Sequence, residues 1–106
     1  MSFDIDAVLK DMSAAAQKSL EKDLPEIEDF GQEILEEEKE SLEMMAKERI
    51  AGRWNQAKFD KELEREQKVI QVEMLTIELM TKAAAQRAIN AAIDVFTKAV
   101  KAALPI

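Results

Sequence analysis

Residues Gln56 to Leu104, QAKFDKELEREQKVIQVEMLTIELMTKAAAQRAINAAIDVFTKAVKAAL, contain neither glycine nor proline. Ala, Glu, Lys, Leu, Met and Gln dominate the stretch, and these lose little on entering a helix. Asn55 offers a side-chain oxygen to the first free backbone amides. The stretch therefore predicts one continuous helix from about 55 to 104. At 1.5 Å per residue, its roughly 49 residues would reach about 73 Å.

The character of this stretch changes along its length. Near its start, Phe59, Leu63 and Ile70 form a narrow apolar stripe. From Val69 to Met80 it is apolar on most sides: Val69, Ile70, Val72, Met74, Leu75, Ile77, Leu79 and Met80 leave only Gln71 and Glu78 as a clear polar strip. A helix that is apolar most of the way round needs cover on more than one side. A single antiparallel neighbour supplies one side, so a second copy of the chain is expected to supply another. The last part is rich in alanine, with Ile89, Ile93, Phe96, Val100 and Leu104 as its large residues. Small residues allow close approach of another helix. The alternative for this end is a basic amphipathic surface that lies on a membrane.

Working back from Asn55, Gly52 stands where a glycine can take the left-handed conformation that ends a helix. Gly52 to Asn55 thus reads as the tip of a helical hairpin, with Trp54 at the tip. The preceding helix is expected over about 24–51, opened by Asp23-Leu24-Pro25-Glu26. In that motif Asp23 caps, Pro25 sits in the first turn and Glu26 reaches back. Its stripe is Ile27, Phe30, Ile34, Leu42 and Met45. A first helix is expected over about 4–22, with Ile5, Val8, Leu9, Met12, Ala16 and Leu20 at spacings of three and four. Alternatively, Pro25 only kinks one continuous helix. Together the first two helices match the long third one in length. The second then runs along the Phe59 to Met80 half, and the first covers the alanine-rich half.

The fold class is all-α, one helical domain of 106 residues, built on a hairpin or three-helix unit with a very long C-terminal helix. Composition agrees: 47% of residues are hydrophobic and 35% charged, with two Gly, two Pro and no Tyr, too apolar for a disordered chain. The net charge is −7 but unevenly spread. Between Glu21 and Glu48 twelve acids face Lys22, Lys39 and Lys47, whereas from Thr81 onward Lys82, Arg87, Lys98 and Lys101 face only Asp94. An acidic surface repels phosphate backbones, which argues against nucleic acid as a partner. There is no Cys and no His. Disulfides, thiol catalysis, the common zinc sites and the usual neutral-pH general base are all excluded. No run of about twenty apolar residues is present, and acids interrupt the first residues, so neither a membrane span nor a signal peptide is expected. A cytoplasmic location is the default reading. Ser19-Leu20-Glu21-Lys22 has the S-x-x-K spacing of some acyl-transferring enzymes, without the companion motifs.

Two groups of residues could carry function. The first is the apolar surface of the long helix, Val69, Val72, Leu75, Leu79 and Met80, with Trp54 as a possible contact for a protein partner. The second is a set of acids on apolar faces. Folding the hairpin about residue 53 or 54 brings Glu38 level with residues 68 to 70, so Glu38, Glu66 and Glu73 should approach one another. Their plainest role is a salt-bridged layer completed by Arg49, Arg65 and Lys68 that sets helix register. Alternatively, a carboxylate cluster would bind a hard cation such as Mg²⁺, Mn²⁺ or Ca²⁺. The expected function is a non-enzymatic structural or protein-interaction module that self-associates, without a cofactor. The alternatives are metal or small-ligand binding and attachment to a membrane surface.

Overall fold

A computed structural model describes residues 3–21, 30–77 and 80–105, with the side chains of residues 30–32 excepted. The described elements are α1 (Ile5–Leu20), α2 (Phe30–Glu37), α3 (Lys39–Ile50), α4 (Gln56–Met74) and α5 (Lys82–Ala103), with no strand among them. The cap expected at Asp23 to Glu26 lies outside the described residues.

Helix α1 begins where the carboxylate of Asp4 accepts from the backbone amides of Asp6 at 3.0 Å and Ala7 at 3.4 Å. Its stripe of Ile5, Val8, Leu9, Met12, Ala16 and Leu20 is buried as the spacing requires. Helix α5 lies along α1, and its Ala84, Ala85, Ala88 and Ala92 are buried. These small side chains let the two backbones come close while Ile89, Ile93, Phe96 and Val100 fill the core beside them. At the other end of the core, Phe59 stacks on Phe96 with ring centroids 6.1 Å apart, and Phe3 meets Phe96 edge-on at 6.2 Å.

The helix expected over 24–51 is two elements in its described part. At Glu38 (φ −98°, ψ 6°) the amide bonds Leu35 O at 3.1 Å, an i→i−3 bond in place of the helical i→i−4. The bend leaves Leu35 and Leu42 both buried. The hairpin tip has the expected form. Gly52 takes φ +80°, its amide bonds Arg49 O at 3.1 Å, and the Arg53 amide bonds Glu48 O at 3.0 Å. That pair of bonds is the Schellman closure of α3. Asn55 then caps α4, accepting from the Lys58 amide at 2.8 Å.

The single helix expected over 55–104 does not form. It ends at Met74, and α5 starts anew at Lys82. Two threonines accommodate the break, which holds neither glycine nor proline. The hydroxyl of Thr76 donates to Glu73 O at 2.6 Å, occupying a carbonyl that a continuing helix would use. Thr81 is extended (φ −92°, ψ 156°) and caps α5 by accepting from the Ala84 amide at 3.1 Å. Tertiary packing rewards the turn. It brings α5 back against α1, α3 and α4, so α4 has α2, α3 and α5 as neighbours within one chain. Ile70 and Met74 are buried by this arrangement. The described protein measures 42 × 23 × 19 Å. The apolar middle of the stretch is therefore partly covered within one chain: Ile70 and Met74 are buried and Ile77 and Met80 half-buried, while Val69, Val72 and Leu75 stay exposed.

Candidate functional site

The antiparallel pair α3–α4 places the acids singled out by sequence. Ser41 of α3 donates its hydroxyl to Glu66 Oε2 of α4 at 2.5 Å, which sets the register of the hairpin. Glu38, at the bend one turn before Ser41, has its carboxyl within hydrogen-bonding reach of both Glu66 and Glu73. The three therefore converge, as folding about residue 53 or 54 requires. Glu66 is only 8% exposed, while Glu38 and Glu73 are half-buried.

The cations expected to complete a salt-bridged layer are engaged elsewhere or stay in solvent. Arg49 Nε donates to Gln56 Oε1 at 3.1 Å, Arg65 pairs with Glu62 at 3.6 Å, and Lys68 is exposed. Among the described residues, none of the three reaches Glu38, Glu66 or Glu73. Fully ionised, the cluster would have acceptors and no donors between its carboxylates. Glu66 Oε1 and Glu73 Oε2 are indeed buried with no donor to accept from. A proton on Glu66 relieves Glu66 Oε1, because it lets Glu66 donate to Glu38, and leaves Glu73 Oε2 without a donor. Burial, then the bond and charge of Glu38, push the Glu66 carboxyl up to about 7 against the opposing bond from Ser41. The bond from Glu66 pulls the Glu38 carboxyl down. Its bond with Glu73, its burial and the charges of Glu73 and Glu37 outweigh that and leave it raised. No group of three or more His, Cys, Asp or Glu side chains among the described residues is disposed to hold a metal ion.

Beside the cluster runs an apolar edge. Val72 is 66% exposed, and Met44, Val69 and Leu75 are 41–46% exposed. Met44 and Val69 flank a groove of about 160 Å³ whose wall includes Ser41, Glu66 and Arg65. Three of the expected interaction residues, Val69, Val72 and Leu75, are thus on the surface. Met80 instead packs half-buried on the core, and Leu79 lies outside the described residues. Trp54 also packs on the core, with the Lys58 ammonium 5.4 Å from its ring centroid. It closes the end of the bundle. Met44 of α3 joins the edge. Its neighbour Met45 is the buried one, on the same face of α3 as Leu42.

The apolar face of α5 is buried against α1. No described helix is long and apolar enough to cross a membrane. Comparison with known families, curated proteins and solved structures finds no match to this chain.

Proposed function

We propose that this chain is a non-enzymatic protein-interaction module, an assembly subunit or adaptor, that self-associates through the outer edge of α3 and α4. A cytoplasmic setting is part of the proposal. The observation that carries it is the exposed row of Met44, Val69, Val72 and Leu75. Scattered exposed hydrophobics are ordinary, but Val69, Val72 and Leu75 follow one another at a spacing of three along α4 and its C-cap, and Met44 of α3 shares a groove with Val69. A second copy suits the edge because its flanks are complementary. Arg65 and Lys68 lie on α4, and Glu40 and Glu43 lie on α3. A two-fold contact sets the bases of one copy beside the acids of the other.

Magnitudes make this association weak. Fully burying a Val, Leu or Met side chain contributes about 1.5–3 kcal/mol, and roughly half of that surface is already covered here. The total over two copies is of the same order as the freedom lost on association, about 4–15 kcal/mol. A concentration-dependent oligomer is therefore expected in the micromolar range. Sedimentation or light scattering should show the mass rising with concentration. Val72→Glu should keep the chain monomeric with unchanged helical circular dichroism. A wild-type mass that stays monomeric throughout, or a Val72→Glu variant with the same concentration dependence, overturns the proposal.

A cation site at the carboxylate cluster has one supporting observation, the two buried oxygens without donors. A proton on Glu66 satisfies one of the two, Glu66 Oε1, and the described residues include no metal-holding group. The interaction reading is preferred.

A further inference from the structure

Helix α2 is short and lightly anchored through its described side chains. Of these, Leu35 is buried and Ile34 packs half-buried beside it. Glu33, Glu36 and Glu37 are exposed and form no ion pair among the described residues. A gap of about 10 Å³ remains beneath the helix, bounded by Ile34 and Leu35 of α2, Ile70 and Met74 of α4 and Ile89 of α5. Side chains that face a gap lose part of their dispersion contact.

The joint between α2 and α3 is one residue, Glu38. It is the N-cap of α3, yet its side chain accepts no bond from the amides of that helix. Its carboxyl reaches across to Glu66 and Glu73 of α4 instead. Glu66 is 8% exposed, and its Oε1 and Glu73 Oε2 are buried without a donor. The contact between Glu38 and Glu66 therefore needs a proton between them. Once ionised, the Glu38 carboxylate has a second place to go. The start of its own helix carries free amides and favours negative charge. Few other charges act there. From α2, Glu37 acts on Glu38. On α4, Arg65 pairs with Glu62 beside the groove, and on α3, Lys39 pairs with Asp6 of α1. Among the described residues α5 adds no charge that acts on Glu66.

We propose that Glu38 is a proton-operated hinge. With Glu66 protonated, α2 is held against α4. With Glu38, Glu66 and Glu73 ionised, the Glu38 carboxylate turns to the N-terminus of α3, and α2 detaches and uncovers Ile70 and Met74. Each arrangement has its own contacts, as a two-state element requires. The Glu66 carboxyl titrates at about 7 in the closed form, against 4.5 once released. Closure is therefore favoured below pH 7 and is lost as pH rises through it. The hinge does not depend on self-association.

The test is a pair of spin labels on α2 and α4, read in dilute solution at pH 6 and pH 8. The chain has no cysteine of its own, and Glu36 and Lys68 are exposed, so Glu36→Cys with Lys68→Cys supplies the pair. A second, longer distance should appear, displaced by about the width of a helix, 10 Å or more. Its ratio to the short distance should rise about tenfold from pH 6 to pH 8, the factor for a group titrating at about 7. Glu66→Gln should keep the short distance at both pH values. Glu38→Gln, whose amide donates to an ionised Glu66, should do the same. A control pair on α1 and α5, Lys10→Cys with Lys101→Cys, should not change. A single unchanged distance in the wild type overturns the proposal. So does a control pair that broadens alongside it, which marks loosening of the whole fold, or a pH response that survives in both glutamine variants.

Discussion

Replacing Glu66 by Gln tests the carboxylate cluster most directly. Gln has the shape of a protonated Glu: its carbonyl can accept from Ser41, and its amide can donate to Glu38. In the folded protein the Glu66 carboxyl titrates at about 7, against an ordinary value of 4.5. Between these values the folded state holds a proton that the unfolded state has released. The contribution of Glu66 to stability is therefore complete below pH 4.5 and is lost as pH rises through 7. The full displacement corresponds to a ceiling of about 3 kcal/mol at 1.36 kcal/mol per pH unit. The adjoining groove opens to solvent and Glu38 is only half-buried, so screening reduces this to about 1–2 kcal/mol. For a domain of this size, 1 kcal/mol moves the melting temperature by about 4–8 °C. Glu66→Gln should accordingly melt roughly 5–15 °C above wild type at pH 8 and close to it at pH 5. Thermal unfolding followed by circular dichroism at the two pH values reads both numbers. If the variant is destabilised at pH 8, or keeps the wild-type change between pH 5 and 8, then Glu66 does not carry the proton assigned to it.

Two further substitutions test the joints of the fold. Gly52→Ala should cost about 1–2 kcal/mol in denaturant unfolding, because the position is left-handed (φ +80°) and a methyl group there meets nothing within 4 Å, so the cost is wholly in the backbone. Thr81→Ala removes the cap of α5 and should cost about 1 kcal/mol. It should also speed hydrogen exchange at Ala84, whose amide Thr81 holds, while amides in the middle of α1 stay protected until global unfolding.

Much of this protein was legible in one dimension. The stripe of α1, the cap at Asn55 and the left-handed turn at Gly52 are local matters of side-chain spacing and backbone sterics. The approach of Glu38 to Glu66 and Glu73 followed from locating the hairpin tip and counting outward. Carboxylates that meet either raise their pKa or find cations, and which of the two these acids do was not legible. Arg65 finds Glu62 on its own helix and Arg49 finds Gln56, so the expected ion-pair layer gives way to a shared proton.

The sequence by itself determined that the chain is helical, where its hairpin turns and which residues of α1 face inward. These depend on periods of a few residues and on groups in direct sequence contact. Only the tertiary structure decided that the long apolar stretch breaks between Met74 and Lys82. Thr76 and Thr81 permit that break but do not compel it, since threonine is tolerated inside helices. The turn wins because it exchanges one straight helix, apolar on most sides and with too few neighbours, for two helices buried against α1, α2 and α3. Among the described residues, what remains uncovered afterwards, the edge of Met44, Val69, Val72 and Leu75, is smaller than the sequence pattern suggested.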